Sequence, residues 1–182
     1  MNKFIKQTLV SIMLICSLQQ MFSMSAIAQD RSEEYQLKAL LLSRLVSFVS
    51  WPDISAEESI TLCVVGVNPF GDRLQDAFSN SNVNIEHIGN QYDMLQSCDI
   101  VFVSDSEIRD FESILDRLDG TSTLTISDIP RFATAGGMIN MTFENRRVGF
   151  LINKEEADAV DVRLSFQLLS LAEIVTTRAD RR

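Results

Sequence analysis

The sequence predicts an α/β fold: a single three-layer domain with a mostly parallel sheet, helices on both faces and an antiparallel hairpin near the C-terminal end. Three observations predict it. Short apolar runs at 60–67, 100–103 and 124–126 have the length and β-branched content of strands buried on both faces. Segments with apolar residues at helical spacing lie between them, the alternation that builds parallel crossover units. Two alternating runs near the end flank a polar tetrapeptide, the pattern of a hairpin.

The elements follow in chain order. Glu34–Ser50 carries Leu37, Leu40, Leu41, Leu45, Val46 and Val49 at helical spacing, and Trp51-Pro52 ends it because the residue before proline is driven out of the helical region. Ile60–Val67 reads as the first core strand, Asp72–Phe78 as a short helix, Val83–Ile88 as an alternating strand and Ile100–Val103 as a second core strand. Glu107–Leu118 places Ile108, Phe111, Ile114, Leu115 and Leu118 on one helical face, and Leu124–Ile126 is the third core strand. Met138–Phe143 and Val148–Ile152, joined by Glu144-Asn145-Arg146-Arg147, form the hairpin. A last helical stretch starts near Lys154 and continues from Arg163 to Thr177, with Leu164, Leu168, Leu171, Ala172 and Val175 in register.

The N-terminus reads as a secretory signal. Lys3 and Lys6 supply a positive start, Leu9–Ile15 a short apolar run, and Ala26-Ile27-Ala28 a small-x-small cleavage site, so the mature chain is expected to begin at Gln29. Residues 1–28 are thus expected to be a cleaved signal and 29–182 the folded domain, exported to a bacterial periplasm without a membrane anchor. The apolar run is too short for a bilayer of about 30 Å. Cys16 follows a bulky Ile15, where a lipidation motif wants a small residue. Removal of two lysines and no acid takes the formal net charge from −9 to −11. A chain this acidic repels nucleic-acid phosphates and anionic membrane surfaces. Export also leaves ATP-dependent chemistry without its substrate.

Cys63 and Cys98 are the two cysteines of the expected mature chain. In an oxidising compartment an even pair reads as one disulfide, with two buried free thiols as the alternative.

Catalytic signals are sparse. Gly66 to Gly71 follows a strand and precedes a helix, but it lacks the glycine spacing of a dinucleotide site, and no cofactor is expected. His87 is the one histidine, and no nucleophile elbow accompanies it. One histidine also leaves no ordinary metal cluster. Asn68, Ser104 and Ser127, with Asp105 and Asp128 beside the serines, follow predicted strands, at the edge where open α/β sheets bind ligands. The same residue types serve as helix caps and turn formers there.

Read together, the pieces resemble a known family. They are Glu34–Ala39, Phe48-Val49-Ser50-Trp51-Pro52, Leu62-Cys63-Val64-Val65-Gly66, Pro69-Phe70-Gly71, Cys98–Val103, Leu124–Asp128, Phe132, Gly136-Gly137-Met138-Ile139, Gly149–Asn153 and Arg163–Ala172. In this order the set resembles the YfiR family of periplasmic proteins across essentially the whole mature chain. The resemblance implies a compact α/β domain in which Cys63 pairs with Cys98. It implies that Trp51 seals the first helix against the sheet and that Gly136-Gly137 permit a tight approach to the hairpin. Arg44 departs from the asparagine many relatives carry there, and the second disulfide of some members is absent, since no cysteine follows Cys98.

The resemblance also implies a job. Members are known as repressors that bind the periplasmic part of an inner-membrane signalling protein with a cytoplasmic diguanylate cyclase domain, and an outer-membrane lipoprotein can sequester the repressor. A second copy of the chain, forming a homodimer, is a further candidate partner. Basic residues in this acidic chain collect at the hairpin (Met141, Phe143, Arg146, Arg147) and at the final helix and tail (Phe166, Arg178, Arg181, Arg182), which makes these the expected partner-binding positions. The competing expectations are a small-ligand receptor using the Asn68, Ser104 and Ser127 edge, and a hydrolase using His87 and Asp128.

Overall fold

A computed structural model describes residues 31–52, 55 and 58–178. The expected signal with its Ala26, Ala28 and Gln29, and the tail residues Arg181 and Arg182, lie outside the described residues.

The chain enters through a helix, α1 (31–46), and a short strand, β1 (Val49–Ser50). It continues through β2 (Ile60–Val65), α2 (Arg73–Phe78), β3 (Val83–Gly89), a 3-10 segment (Tyr92–Ser97) and β4 (Ile100–Val103). A 3-10 turn (Asp105–Glu107), α3 (Phe111–Leu118) and β5 (Leu124–Ser127) follow, then a 3-10 turn (Ala133–Ala135) and the hairpin β6 (Ile139–Glu144) and β7 (Arg147–Ile152). The C-terminal part holds α4 (Lys154–Ala159), β8 (Arg163–Leu164), α5 (Phe166–Leu169) and β9 (Glu173–Ile174).

Seven strands form one sheet in the order β3-β2-β4-β5-β6-β7-β9, and β1 pairs antiparallel with β8 in a separate two-stranded sheet. Strands β3 to β6 are mutually parallel, β7 returns antiparallel to β6, and β9 runs parallel to β7. The predicted fold class is therefore the observed one.

Successive strand residues face opposite sides, so β2 and β4 each feed two cores. Leu62, Val64, Ile100 and Phe102 pack with Tyr35, Leu42, Phe70, Leu74 and Phe78 on the α1/α2 face. Cys63, Val65, Val101 and Val103 pack with Phe111, Ile114, Leu115 and Leu118 of α3 on the other. The chain steps outward from β2 to β3, then crosses back over β2 to β4 and β5. Reversing that direction puts α2 and α3 on opposite faces, as right-handed crossovers require.

Three expectations are corrected. Helix α1 ends at residue 46, not at Ser50, because Ser47 and Phe48 donate backbone N–H groups to Arg44 O and Leu45 O at 3.2 and 2.9 Å and close the last turn, freeing Val49 to pair with Leu164. Its buried face also differs: Tyr35, Lys38, Ala39, Leu42, Leu45 and Val46 are inside, whereas Leu40 is exposed. The helix expected over Arg163–Thr177 is instead strand, one short helix and strand, since Leu164 pairs across to Val49 and Ile174 pairs with Ile152.

The hairpin turn is tighter than four residues. Asn145 and Arg146 alone form it, both at positive φ (51° and 58°), the geometry of a two-residue type I′ turn. Gly137 has the close approach expected of the glycine pair: a Cβ there would lie 2.2 Å from the Phe132 ring, which is buried against Phe111.

Candidate functional site

The strand-end residues singled out from the sequence serve the fold. Ser127 Oγ donates to Val103 O at 2.7 Å and accepts from the Ile129 N–H at 2.9 Å, tying β4 to the chain beyond β5. Ser104 is buried, and its Oγ accepts from the Ser106 N–H at the start of the 3-10 turn. Asn68 closes its own turn, accepting from the Phe70 N–H at 3.0 Å and donating to Gly71 O at 3.1 Å. His87 is exposed on the edge strand β3, its ring 3.2 Å from the Asn68 amide.

Asp128 has a different role from the one sequence reasoning weighed. Its Oδ2 accepts from Tyr35 Oη at 2.8 Å and from Lys38 Nζ at 2.7 Å, while Lys38 also pairs with Glu34. The Lys38 ammonium stands 4.7 Å from the Tyr35 ring centroid. Burial, then the Asp128 charge, pushes the Tyr35 hydroxyl far above its ordinary pKa. Among the described residues Asp128 Oδ1 is buried without a hydrogen-bond partner.

This cluster belongs to a wider set of contacts. The first half of α1 lies against the C-terminal ends of the parallel strands and is held there by four separate segments. Arg31 pairs with Asp105 beyond β4 at 2.6 Å, Ser32 accepts from Arg73 of α2 at 2.7 Å, Glu33 pairs with Arg146 of the hairpin turn, and Tyr35 and Lys38 meet Asp128 beyond β5. Arg31, Ser32, Tyr35, Val67, Pro69, Arg73, Asp105 and Ser106 line an open cavity of about 550 Å³ at that edge. Among the described residues no group of histidine, cysteine or acidic side chains is arranged to hold a metal ion.

The expected partner-binding residues fall in separate places. Met141 is 1% exposed and belongs to the core, so it has no surface to offer; strand alternation turns it inward beside Ile139. Phe143 is half-buried, Arg147 is exposed, and Arg146 is engaged with Glu33 at the hairpin tip. Arg178 is exposed and donates its N–H to Thr134 O, next to the start of β6. The tip and Arg178 therefore sit at opposite ends of a six-residue strand, a separation of about 20 Å.

The C-terminal segment carries an apolar surface that the sequence reading assigned in part to a helix face. Phe166, Leu171 and Ile174 are 82%, 74% and 51% exposed. The half-exposed Phe48 lies beside the start of this segment, its carbonyl accepting from the Ser165 N–H at 2.9 Å. Phe166 was legible as a candidate; Leu171 was hidden by its helical spacing, and Ile174 was not singled out.

Cys63 of β2 and Cys98, just before β4, form a disulfide with Cα atoms 5.8 Å apart, buried on the α3 face. Among the described residues no helix is long and apolar enough to cross a membrane.

Comparison with known proteins places this architecture. Residues 35–173 match the family described as YfiR/HmsC-like, well over half of the chain. No curated protein is significantly similar in sequence. Two solved structures share the fold at 9% identity and a TM-score of 0.60: the ABC domain in complex with L-Trp from Streptococcus pneumoniae, and a conserved domain protein from Vibrio cholerae O1 biovar El Tor strain N16961. The similarity covers 75% and 77% of this chain but 60% and 59% of theirs, so the chain spans less than two-thirds of either.

Proposed function

The chain belongs to the YfiR/HmsC-like family, and from that premise we propose that it is an exported regulatory binding protein of cyclic di-GMP signalling, not an enzyme. In this reading residues 1–28 are removed between Ala28 and Gln29, and the domain works in the periplasm. It binds the periplasmic part of an inner-membrane protein whose cytoplasmic domain is a diguanylate cyclase, and holds that enzyme in its less active state. An outer-membrane lipoprotein is the proposed antagonist that withdraws it.

The family match is the observation that carries the reading. The exposure of three large apolar side chains within nine residues, Phe166, Leu171 and Ile174, supports it, because large apolar groups left to water together mark docking sites. Arg178 and the hairpin-tip arginines Arg146 and Arg147 are the proposed charged contacts.

Repression of this kind is a population shift. The protein must bind the inactive receptor state more tightly than the active one, and a ten- to hundredfold preference, roughly 1.4–2.7 kcal/mol, gives a graded switch. In-cell crosslinking of an affinity-tagged chain, followed by identification of captured membrane proteins, tests the reading. Recovery of an inner-membrane protein with a cytoplasmic cyclase domain, and a rise in cyclic di-GMP when the gene is deleted, are expected. Capture of outer-membrane transport proteins alone, with unchanged cyclic di-GMP, would overturn it.

A further inference from the structure

The parallel sheet has its topological switch at β2: the chain leaves β2 outward to β3 and resumes on the other side at β4. Two loops diverge there, one after β2 and one after β4, and open α/β sheets bind ligands in the crevice such loops leave. Here the crevice is the cavity of about 550 Å³, within the range of small-molecule sites.

Its walls are fixed. Gly66 sits at φ +83° with its Cα so close to the second loop that a Cβ would lie 2.3 Å from Ser106 Oγ, and the Val67 N–H donates to that same oxygen at 2.9 Å. Arg73 is equally constrained: Nη1 donates to Phe70 O at 3.0 Å and Nη2 to Ser32 Oγ at 2.7 Å. Neither partner is charged. Arg73 is half-buried, and among the described residues its guanidinium has no carboxylate at ion-pair distance. Arg31, also lining the cavity, is by contrast paired with Asp105.

An oriented guanidinium with donors to spare matches a carboxylate or phosphate group by paired hydrogen bonds. Beside it, Val67 is 71% exposed, and with Pro69 and the Tyr35 ring it offers an apolar wall. We propose that this crevice binds a small organic anion, its carboxylate or phosphate seated on Arg73 and its apolar body on Val67, Pro69 and Tyr35. The site is distinct from the exposed C-terminal surface and does not depend on the identity of any protein partner.

The test uses benzoate and phenyl phosphate as anionic probes and benzamide as their neutral counterpart, titrated into the purified protein by calorimetry and amide NMR. Expected are saturable binding of at least one anion, shifts centred on the Val67 and Ser106 amides, and binding of benzamide weaker by about tenfold or more. Preference for benzoate or for phenyl phosphate identifies carboxylate or phosphate as the ligand group. Arg73→Gln is expected to abolish the preference for anions over benzamide. Val67→Glu, at an exposed position that the fold does not need, should weaken the anions by like-charge repulsion even if the arginine variant fails to fold. Absence of saturable binding by both anions, equal binding of benzamide, or undiminished anion binding by Val67→Glu would overturn the assignment. Because these measurements need no partner, their failure leaves the regulatory reading standing, and the reverse also holds.

Discussion

A lysine on the buried face of a helix is tolerated when its ammonium is paired, and Lys38 meets that condition with Glu34 and with Asp128 at 2.7 Å. Removing one member of a buried pair leaves the other charge uncompensated, which costs about 3–5 kcal/mol, whereas replacing both is far milder. Lys38→Met is therefore expected to lower the unfolding free energy by about 3–5 kcal/mol, and Lys38→Met with Asp128→Leu to recover only part of it, because the buried Tyr35 hydroxyl then loses its acceptor. Denaturant unfolding of the two variants checks this; equal losses in both would mean the pair is not the unit that matters. The two tyrosines of the chain make a second prediction. A hydrogen bond to Glu107 Oε2 at 2.6 Å, aided by burial, pushes the Tyr92 hydroxyl up to about 12, and Tyr35 is raised further by burial beside Asp128. Both folded values exceed the ordinary tyrosine value of about 10, so the unfolded chain loses these protons first. The stabilisation is full below pH about 10 and is lost as pH rises through 10 to 12 and beyond. Tyr92→Phe should flatten the lower part of that decline, measured as unfolding midpoint against pH.

At the scale of elements, the disulfide links two adjacent central strands across a sequence separation of 35 residues. Closing a loop of that length restricts the unfolded chain by roughly 3–4 kcal/mol on the chain-entropy model. The double variant Cys63→Ala/Cys98→Ala is expected to lose about that much stability while keeping its far-ultraviolet circular dichroism, and reductant should act on the parent alone. The central strands were legible in the sequence because burial on both faces leaves them uniformly apolar: Ile100–Val103 falls where it was predicted, and β5 extends the predicted Leu124–Ile126 by Ser127 alone. The face of α1 was misread because its inward positions include Lys38: its local partner Glu34 reads as an ordinary solvated i,i+4 pair, and the buried partner that draws it inward, Asp128, lies 90 residues away. The C-terminal stretch was misread for the converse reason. Leu164, Leu168, Leu171 and Val175 recur at helical intervals, yet pairing of Leu164 with Val49 and of Ile174 with Ile152 overrides that local preference and leaves Leu171 outside. The edge that holds the cavity was legible from the strand ends, where Asn68, Ser104 and Asp105 were singled out, but Arg73 was not, since it acquires its orientation in part from Ser32, a contact 41 residues distant.

Considered as a whole, the molecule separates two surfaces that a regulator needs to keep apart. The strand C-terminal edge is bridged by α1 through contacts to Asp105, Arg73, Arg146 and Asp128, with the crevice left beside them. The C-terminal segment adjoins β1, the end of β7 and the turn before β6, with Val175 donating to Ile152 O at 2.9 Å and Arg178 to Thr134 O at 3.0 Å. A docking partner on that segment would cover Phe166, Leu171 and Ile174, whose exposure in the single chain leaves hydrophobic free energy unrealised. A centrally placed aromatic anchor contributes about 2 kcal/mol or more at an interface, which is roughly thirtyfold in affinity. Phe166→Glu with Leu171→Glu should therefore reduce partner capture in the crosslinking assay by about thirtyfold or more, with an unchanged unfolding midpoint because both side chains already face water. Arg147→Glu, which leaves the Arg146–Glu33 pair intact, probes the other end of β6 independently and should weaken capture less, since its effect is electrostatic and fades with salt. The apolar pair also discriminates between occupants. If the segment joins two copies of the chain, Phe166→Glu with Leu171→Glu converts a sedimenting dimer to monomer; if it holds a membrane partner, the parent already sediments as a monomer and capture alone is lost. Undiminished capture and unchanged sedimentation in a folded variant would remove the C-terminal segment from the interface.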